Sequence, residues 1–150
     1  MSTAAFSTWV VLPQAGCDVG CADSRGTLFN PNQSTSWRDL GLYALDLETN
    51  LDYHTNGDYG LDKVGLGLQE TLGPTLDSQV VAGFQNNAYY YLGMLGLAPF
   101  PTNVTFNEPR PSFLATLKTK DLIPSLSWSY TAGAQYSEAF LDLSSDLLQC

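Results

Sequence analysis

Apolar residues come in short runs separated by turn-forming clusters. TWVVLP, GLYALDLE, YGLDKVGLGLQ, SQVVAGF, YYYLGMLGLA and SLSWSYTAG are rich in β-branched, aromatic and leucine residues. Between them stand FNPNQS, ETN, TNGD, LGP, QNN, APFPT and NEPRP. This cadence predicts an all-β, β-rich fold with one or two short helices. TNGD, lying between LDYH and YGLDKVGL, predicts a hairpin turn in which Asn56-Gly57 supplies the positive φ values of a type I′ turn. One stretch breaks the pattern. From Pro111 to Ile123, Phe113, Leu114, Leu117 and Leu122 fall near helical spacing, with Pro111 at the start and Pro124 beyond the end. A helix of roughly ten residues is expected there. In the tail, Phe140, Leu143, Leu147 and Leu148 also approach helical intervals, but Ser144 and Ser145 interrupt them, and a frayed end fits the pattern as well. Gly93 and Gly96 inside YYYLGMLGLA predict a buried strand that another backbone approaches closely.

A chain of 150 residues is one domain, or one lobe of something larger. With 44% hydrophobic and 14% charged residues it has enough apolar material for a core. No run approaches the ~18 apolar residues of a membrane span. The net charge of −9 argues against nucleic acid or an anionic membrane as partner, and the six basic residues form no patch. Low charge with many Tyr, Ser, Thr, Asn and Gly fits a secreted protein.

Candidate chemistry is sparse. Cys17 and Cys21 form a C-x3-C loop that a disulfide can close, with Cys150 left over. A metal site is the rival reading, but zinc takes about four ligands and His54 is the only imidazole. Neither a metal nor a cofactor is expected. Asn32-Gln33-Ser34 and Asn103-Val104-Thr105 are glycosylation sequons, which agree with an oxidising secretory route. The opening MSTAAFSTWVVLP has no charged n-region and no long apolar core, so something upstream is expected to be missing. Asp52 to Asp58 superficially resembles a calcium loop, yet its twelfth position is Lys63 where a bidentate Glu belongs. A solvated acidic hairpin is the plainer reading, with His54 at its tip. A single His and no G-x-S-x-G elbow leave no nucleophile triad.

Taken in order, several segments resemble the N-terminal lobe of the pepsin-like aspartic endopeptidases. Trp9-Val10 matches the family's strand after its Asp-Thr-Gly-Ser loop, Cys17 and Cys21 its small disulfide loop, and Phe29-Asn30-Pro31-Asn32-Gln33-Ser34-Thr35 the segment that follows. Gly60 to Gly65, Leu92 to Ala98, and Pro111-Ser112-Phe113 then match the flap hairpin, the Asp-Gly-Ile-Leu-Gly-Leu strand and the helix. The resemblance covers residues 1–136. Residues 137–150 form a divergent tail. It implies a single lobe of a two-lobed fold, a Cys17–Cys21 disulfide, and a secreted or vacuolar parent that acts on peptides or proteins.

The departures matter more than the matches. Ser2-Thr3-Ala4-Ala5 falls on the catalytic loop, so Ser2 occupies the place of the first catalytic Asp. Two carboxylates sharing a proton activate water in this family, and a hydroxyl cannot replace one of them. Ala4 puts a methyl where the loop turns tightly on Gly. Tyr53 is the nearest residue to the flap tyrosine, and Leu92 replaces the Asp before Gly93. The second lobe, with the second Asp, is not in this sequence. The expectation is a catalytically silent lobe that would pack on a C-terminal lobe in its parent. A secreted, non-catalytic peptide- or polysaccharide-binding protein is the alternative.

Overall fold

The computed structural model describes residues 5, 7–45, 52, 55–67, 73–85, 90–103, 108–131 and 140–142. The chain order is β1 (Trp9–Val11), α1 (Val19–Ser24), a 3-10 turn (Pro31–Gln33), β2 (Arg38–Ala44), β3 (Asn56–Gly65) and β4 (Thr75–Phe84). Then come β5 (Thr102–Asn103), β6 (Pro109–Arg110), α2 (Phe113–Thr119), β7 (Ser129–Thr131) and β8 (Phe140–Asp142). The described residues are β-rich with two short α-helices, neither of which is long and apolar enough to cross a membrane.

Four strands form the main sheet in the order β1-β4-β3-β2, with β1 parallel to β4 and the other pairs antiparallel. The alternation along β3 and β4 sorts side chains between two faces. Tyr59 and Leu61 pair with Ala82 and Val80, and with Trp9, Val11, Leu45, Phe84 and Tyr90 they make the first core cluster. The opposite face carries Asp58, Gly60 and Asp62 beside Gly83, Val81 and Gln79. Residues 30–37 lie across that polar face. The Trp37 ring sits on Gly60 so closely that a Cβ there would come 2.3 Å from Trp37 Cζ2.

A second core cluster joins Leu76, Leu97 and Ile123 to the apolar side of α2, namely Phe113, Leu114 and Leu117. The helix begins where expected. Ser112 is its N-cap, and its Oγ accepts from Ala115 N at 3.3 Å. It ends earlier, at Thr119, because Asp121 turns into the left-handed region at φ 54°. Asp121 N then donates to Lys118 O and Leu122 N to Leu117 O, both at 3.0 Å, which closes the last turn and returns Ile123 to the core.

Three expectations are corrected. Asn56 and Gly57 do not form a hairpin turn. They lie inside β3, paired with Ala44 and Tyr43, and the reversal precedes them. Gly57 is there for packing, since the position of its missing Cβ is 3.2 Å from the Tyr59 ring and 3.5 Å from Gly83 O. Near-helical spacing in the tail gives way at Phe140–Asp142 to a strand, because β7 offers an open edge whose backbone groups pair with it. YYYLGMLGLA is only partly buried. Tyr91 and Leu92 are exposed, while Tyr90 and Leu97 to Ala98 are covered.

Candidate functional site

Ala5 and residues 7–9 run between two other segments. On one side Ala82 N of β4 donates to Thr8 O at 2.9 Å. On the other side residues 94–98 run antiparallel to them. Trp9 N donates to Met94 O at 2.9 Å, Met94 N to Trp9 O at 2.8 Å and Ala98 N to Ala5 O at 3.0 Å. Gly96 N reaches Thr8 Oγ1 at 3.3 Å. A Cβ on Gly96 would meet Ser7 O at 2.5 Å and Ala5 O at 2.8 Å, and one on Gly93 would meet Trp9 O at 3.0 Å. The close approach expected of these two glycines is present, and the backbone that approaches is that of Ala5, Ser7 and Trp9.

Trp9 locks the assembly from beneath. Its Nε1 donates to Leu92 O at 3.3 Å, and its ring meets Tyr90 edge-on at 5.4 Å between centroids. Tyr90 OH in turn donates to Leu45 O at 2.9 Å, tying in the end of β2. Segments 7–12 and 90–98 contain no Asp, Glu, His, Lys or Arg. The chemistry they offer is that of hydroxyls and backbone amides, with Thr8 Oγ1 engaged by Gly96. Ser2 and Tyr53, the residues that the resemblance selects, lie outside the described residues, as do His54 and Cys150.

The disulfide is formed. Cys17 and Cys21 are joined at 2.01 Å. Asp18 between them caps α1 by accepting from Cys21 N at 2.9 Å. Just past this helix stands Arg25, a residue that sequence reasoning passed over. It is 1% exposed. Its Nε donates to Tyr91 O at 3.0 Å, Nη1 to Gln85 O at 3.1 Å and to Gln14 Oε1 at 3.3 Å, and Nη2 to Tyr90 O at 3.4 Å. Phe84 and Tyr91 face the guanidinium at 5.7 and 5.5 Å. Among the described residues no carboxylate pairs with it. Carbonyl oxygens and ring faces replace the counter-ion. Arg25 thereby sets the path of the chain into Gly93. The Tyr91 ring stays beside the guanidinium, with its hydroxyl 2.7 Å from Ser24 Oγ. A lone Arg in the otherwise uncharged RGTLFNPN stretch was the only signal available.

Asp62 is the second buried charge, at 5% exposure. Ser34 Oγ lies 3.0 and 2.9 Å from its two oxygens, Ser36 Oγ donates to it as well, and Lys63 N donates at 2.7 Å. With its oxygens occupied in this way, Asp62 holds residues 34–36 on β3. Asn32, the first sequon residue, is exposed on the 3-10 turn and its Ser34 belongs to the Asp62 cluster. Asn103 is the last residue of β5, where its backbone pairs with Pro109; its side chain lies outside the described set. Among the described residues no three His, Cys, Asp or Glu side chains come together as a metal site. Comparison with protein-family models and with curated proteins gives no match to this chain.

Proposed function

We propose that this chain is N-terminal-lobe material of a pepsin-like aspartic endopeptidase homologue, and that it does not hydrolyse peptides. The observation that carries the reading is the backbone-to-backbone contact of residues 94–98 with Ala5 and residues 7–9. Two motifs chosen separately by the resemblance, more than 80 residues apart, meet there with no room for a Cβ on Gly96. The Cys17–Cys21 disulfide and the antiparallel β2–β3 pair support it in the same way.

Inactivity follows from position 2. Hydrolysis in this family needs a carboxylate pair that shares a proton and activates water. Ser2 has a hydroxyl that stays protonated throughout the working pH range, and the flanking segments supply no other base. The parent's substrates are peptides or proteins, and the lobe's natural partner is a C-terminal lobe.

Wild-type chain is expected to show no pepstatin-sensitive hydrolysis at any acidic or neutral pH, and such activity in contaminant-free protein would overturn the reading. The lobe assignment has a positive test. Ser2→Asp combined with Ala4→Gly, folded together with the C-terminal lobe of an active family member, is expected to gain pepstatin-sensitive hydrolysis. A well-formed complex without it would count against the assignment. Secreted peptide or polysaccharide binding is the second reading. The polar groove beside Trp37 favours it, and titration of tryptophan fluorescence with a peptide or a soluble glucan separates the two.

A further inference from the structure

The polar face of β3 is covered by residues 30–37 only in part, and a groove of about 540 Å³ remains beside Trp37. Asn32, Trp37, Asp39, Asp58 and Gln85 line it, together with the apolar side chain of Leu12. Its polar groups are poorly used. Among the described residues, the Asp58 carboxylate, the Gln85 and Asn32 side-chain amides and the Trp37 indole N–H make no hydrogen bond. The groove therefore offers both donors and acceptors next to an aromatic surface, and none of its described lining residues is a cation. A pyranose suits such a lining, since it has an apolar C–H face and hydroxyls that donate and accept. Anionic ligands are disfavoured by the two aspartates.

The occupant is indicated by one of the walls. Asn32 lines the groove, is exposed, and heads the sequon Asn32-Gln33-Ser34. The Cys17–Cys21 disulfide agrees with an oxidising compartment, where N-glycosylation occurs. We propose that Asn32 carries an N-linked glycan and that its first N-acetylglucosamine units lie in the groove, held by Trp37, Asp58 and Gln85. The transfer is a substitution at an anomeric carbon. Asn32 Nδ2 bonds to C1 of the reducing-end sugar of a lipid-diphosphate-linked oligosaccharide. The C1–O bond to phosphate breaks, the lipid diphosphate leaves, and one amide proton passes to the transferase.

The fold also sets the order of events. The sequon hydroxyl belongs to Ser34, which in the folded chain donates to Asp62, 28 positions further on. The glycan is therefore added while β3 is not yet packed. Asp58 arrives with β3, and Gln85 follows β4, so the groove closes around a sugar already in place. The covalent tether keeps the sugar at roughly millimolar effective concentration, enough for a shallow site to be filled. This inference does not depend on the hydrolase reading.

The test uses the full chain, in an Asn103→Gln background, directed through the secretory pathway of a yeast. Peptide mapping should find Asn32 occupied. A peptide N-glycosidase should release the glycan about ten-fold more slowly from native than from denatured chain, a ratio equal to one or two hydrogen bonds. Asp58→Ala with Gln85→Ala removes side chains that make no hydrogen bond among the described residues, and should abolish most of that protection while near-ultraviolet circular dichroism is unchanged. An unoccupied Asn32, or release that the double variant does not accelerate, would overturn the proposal. So would Asp58-dependent binding of free diacetylchitobiose by unglycosylated chain when the attached glycan is unprotected, which would give the groove to a free saccharide.

Discussion

Replacing Gly96 with alanine inserts one methyl group between two backbones already in contact. The new Cβ would lie 2.5 Å from Ser7 O, 2.8 Å from Ala5 O and 2.9 Å from the Ser7 carbonyl carbon. All three are main-chain atoms, so no side-chain rotation relieves the clash, and residues 94–98 must lift away from Ala5 and residues 7–9. Lifting breaks the bonds from Gly96 N to Thr8 Oγ1 and from Ala98 N to Ala5 O. Two hydrogen bonds contribute about 2 kcal/mol together, and forced overpacking costs about 1–3 kcal/mol. Reduced entropy of the unfolded chain offsets about 0.4–1 kcal/mol. The net loss is about 2–4 kcal/mol, which for a chain of this size lowers the melting temperature by roughly 5–15 °C. Gly65→Ala is the control, since its nearest neighbour is Thr75 Oγ1 at an ordinary 3.4 Å. Thermal and urea unfolding followed by circular dichroism measure both variants. If Gly96→Ala melts together with Gly65→Ala, residues 94–98 do not lie against Ala5 and residues 7–9, and the observation behind the functional proposal is lost.

Arg25→Leu should destabilise by about 3 kcal/mol or more in the same unfolding assay, because the carbonyls of Gln85, Tyr90 and Tyr91 lose a buried donor. Arg25→Lys should recover only part of that loss, since an ammonium cannot reproduce the planar fork; full recovery would mean that charge alone is needed. Reduction of Cys17–Cys21 should cost about 2 kcal/mol at most, because so short a loop removes little unfolded-state entropy. Alkylation and intact mass of material made in an oxidising host check the pairing, and two free thiols at these positions would refute it. Ser2→Asp alone should stay inactive when dilute, because a lone carboxylate has no second carboxylate with which to share a proton. Any activity should rise with the square of protein concentration, as expected if two copies assemble a dyad; activity linear in concentration would contradict this.

Local chemistry in the sequence was enough for several elements. Pro111-Ser112 followed by Phe113, Leu114 and Leu117 specifies α2, because a cap and an apolar stripe act within a few residues of each other. Trp9–Val11 and the run from Val80 to Phe84 are legible as buried strands for the same reason. Gly93 and Gly96 announced a close backbone, although the partner was not legible from their own neighbourhood. What the tertiary structure alone decided depends on contacts across long stretches of chain. A glycine serves equally for a positive φ or for close packing, and only Tyr59 and Gly83 decide that Gly57 does the second. Arg25 is buried because three carbonyls at least 60 residues away converge on it, and no pattern near Arg25 encodes their positions. Asp62 meets Ser34 and Ser36, and Asn32 shares a groove with Asp58, only once residues 30–37 lie across β3. Periodicity reports which face of an element is apolar. Which element covers that face is set by the packing of the whole chain, because several partners of equal hydrophobicity are available and the choice rests on shape and hydrogen-bond satisfaction.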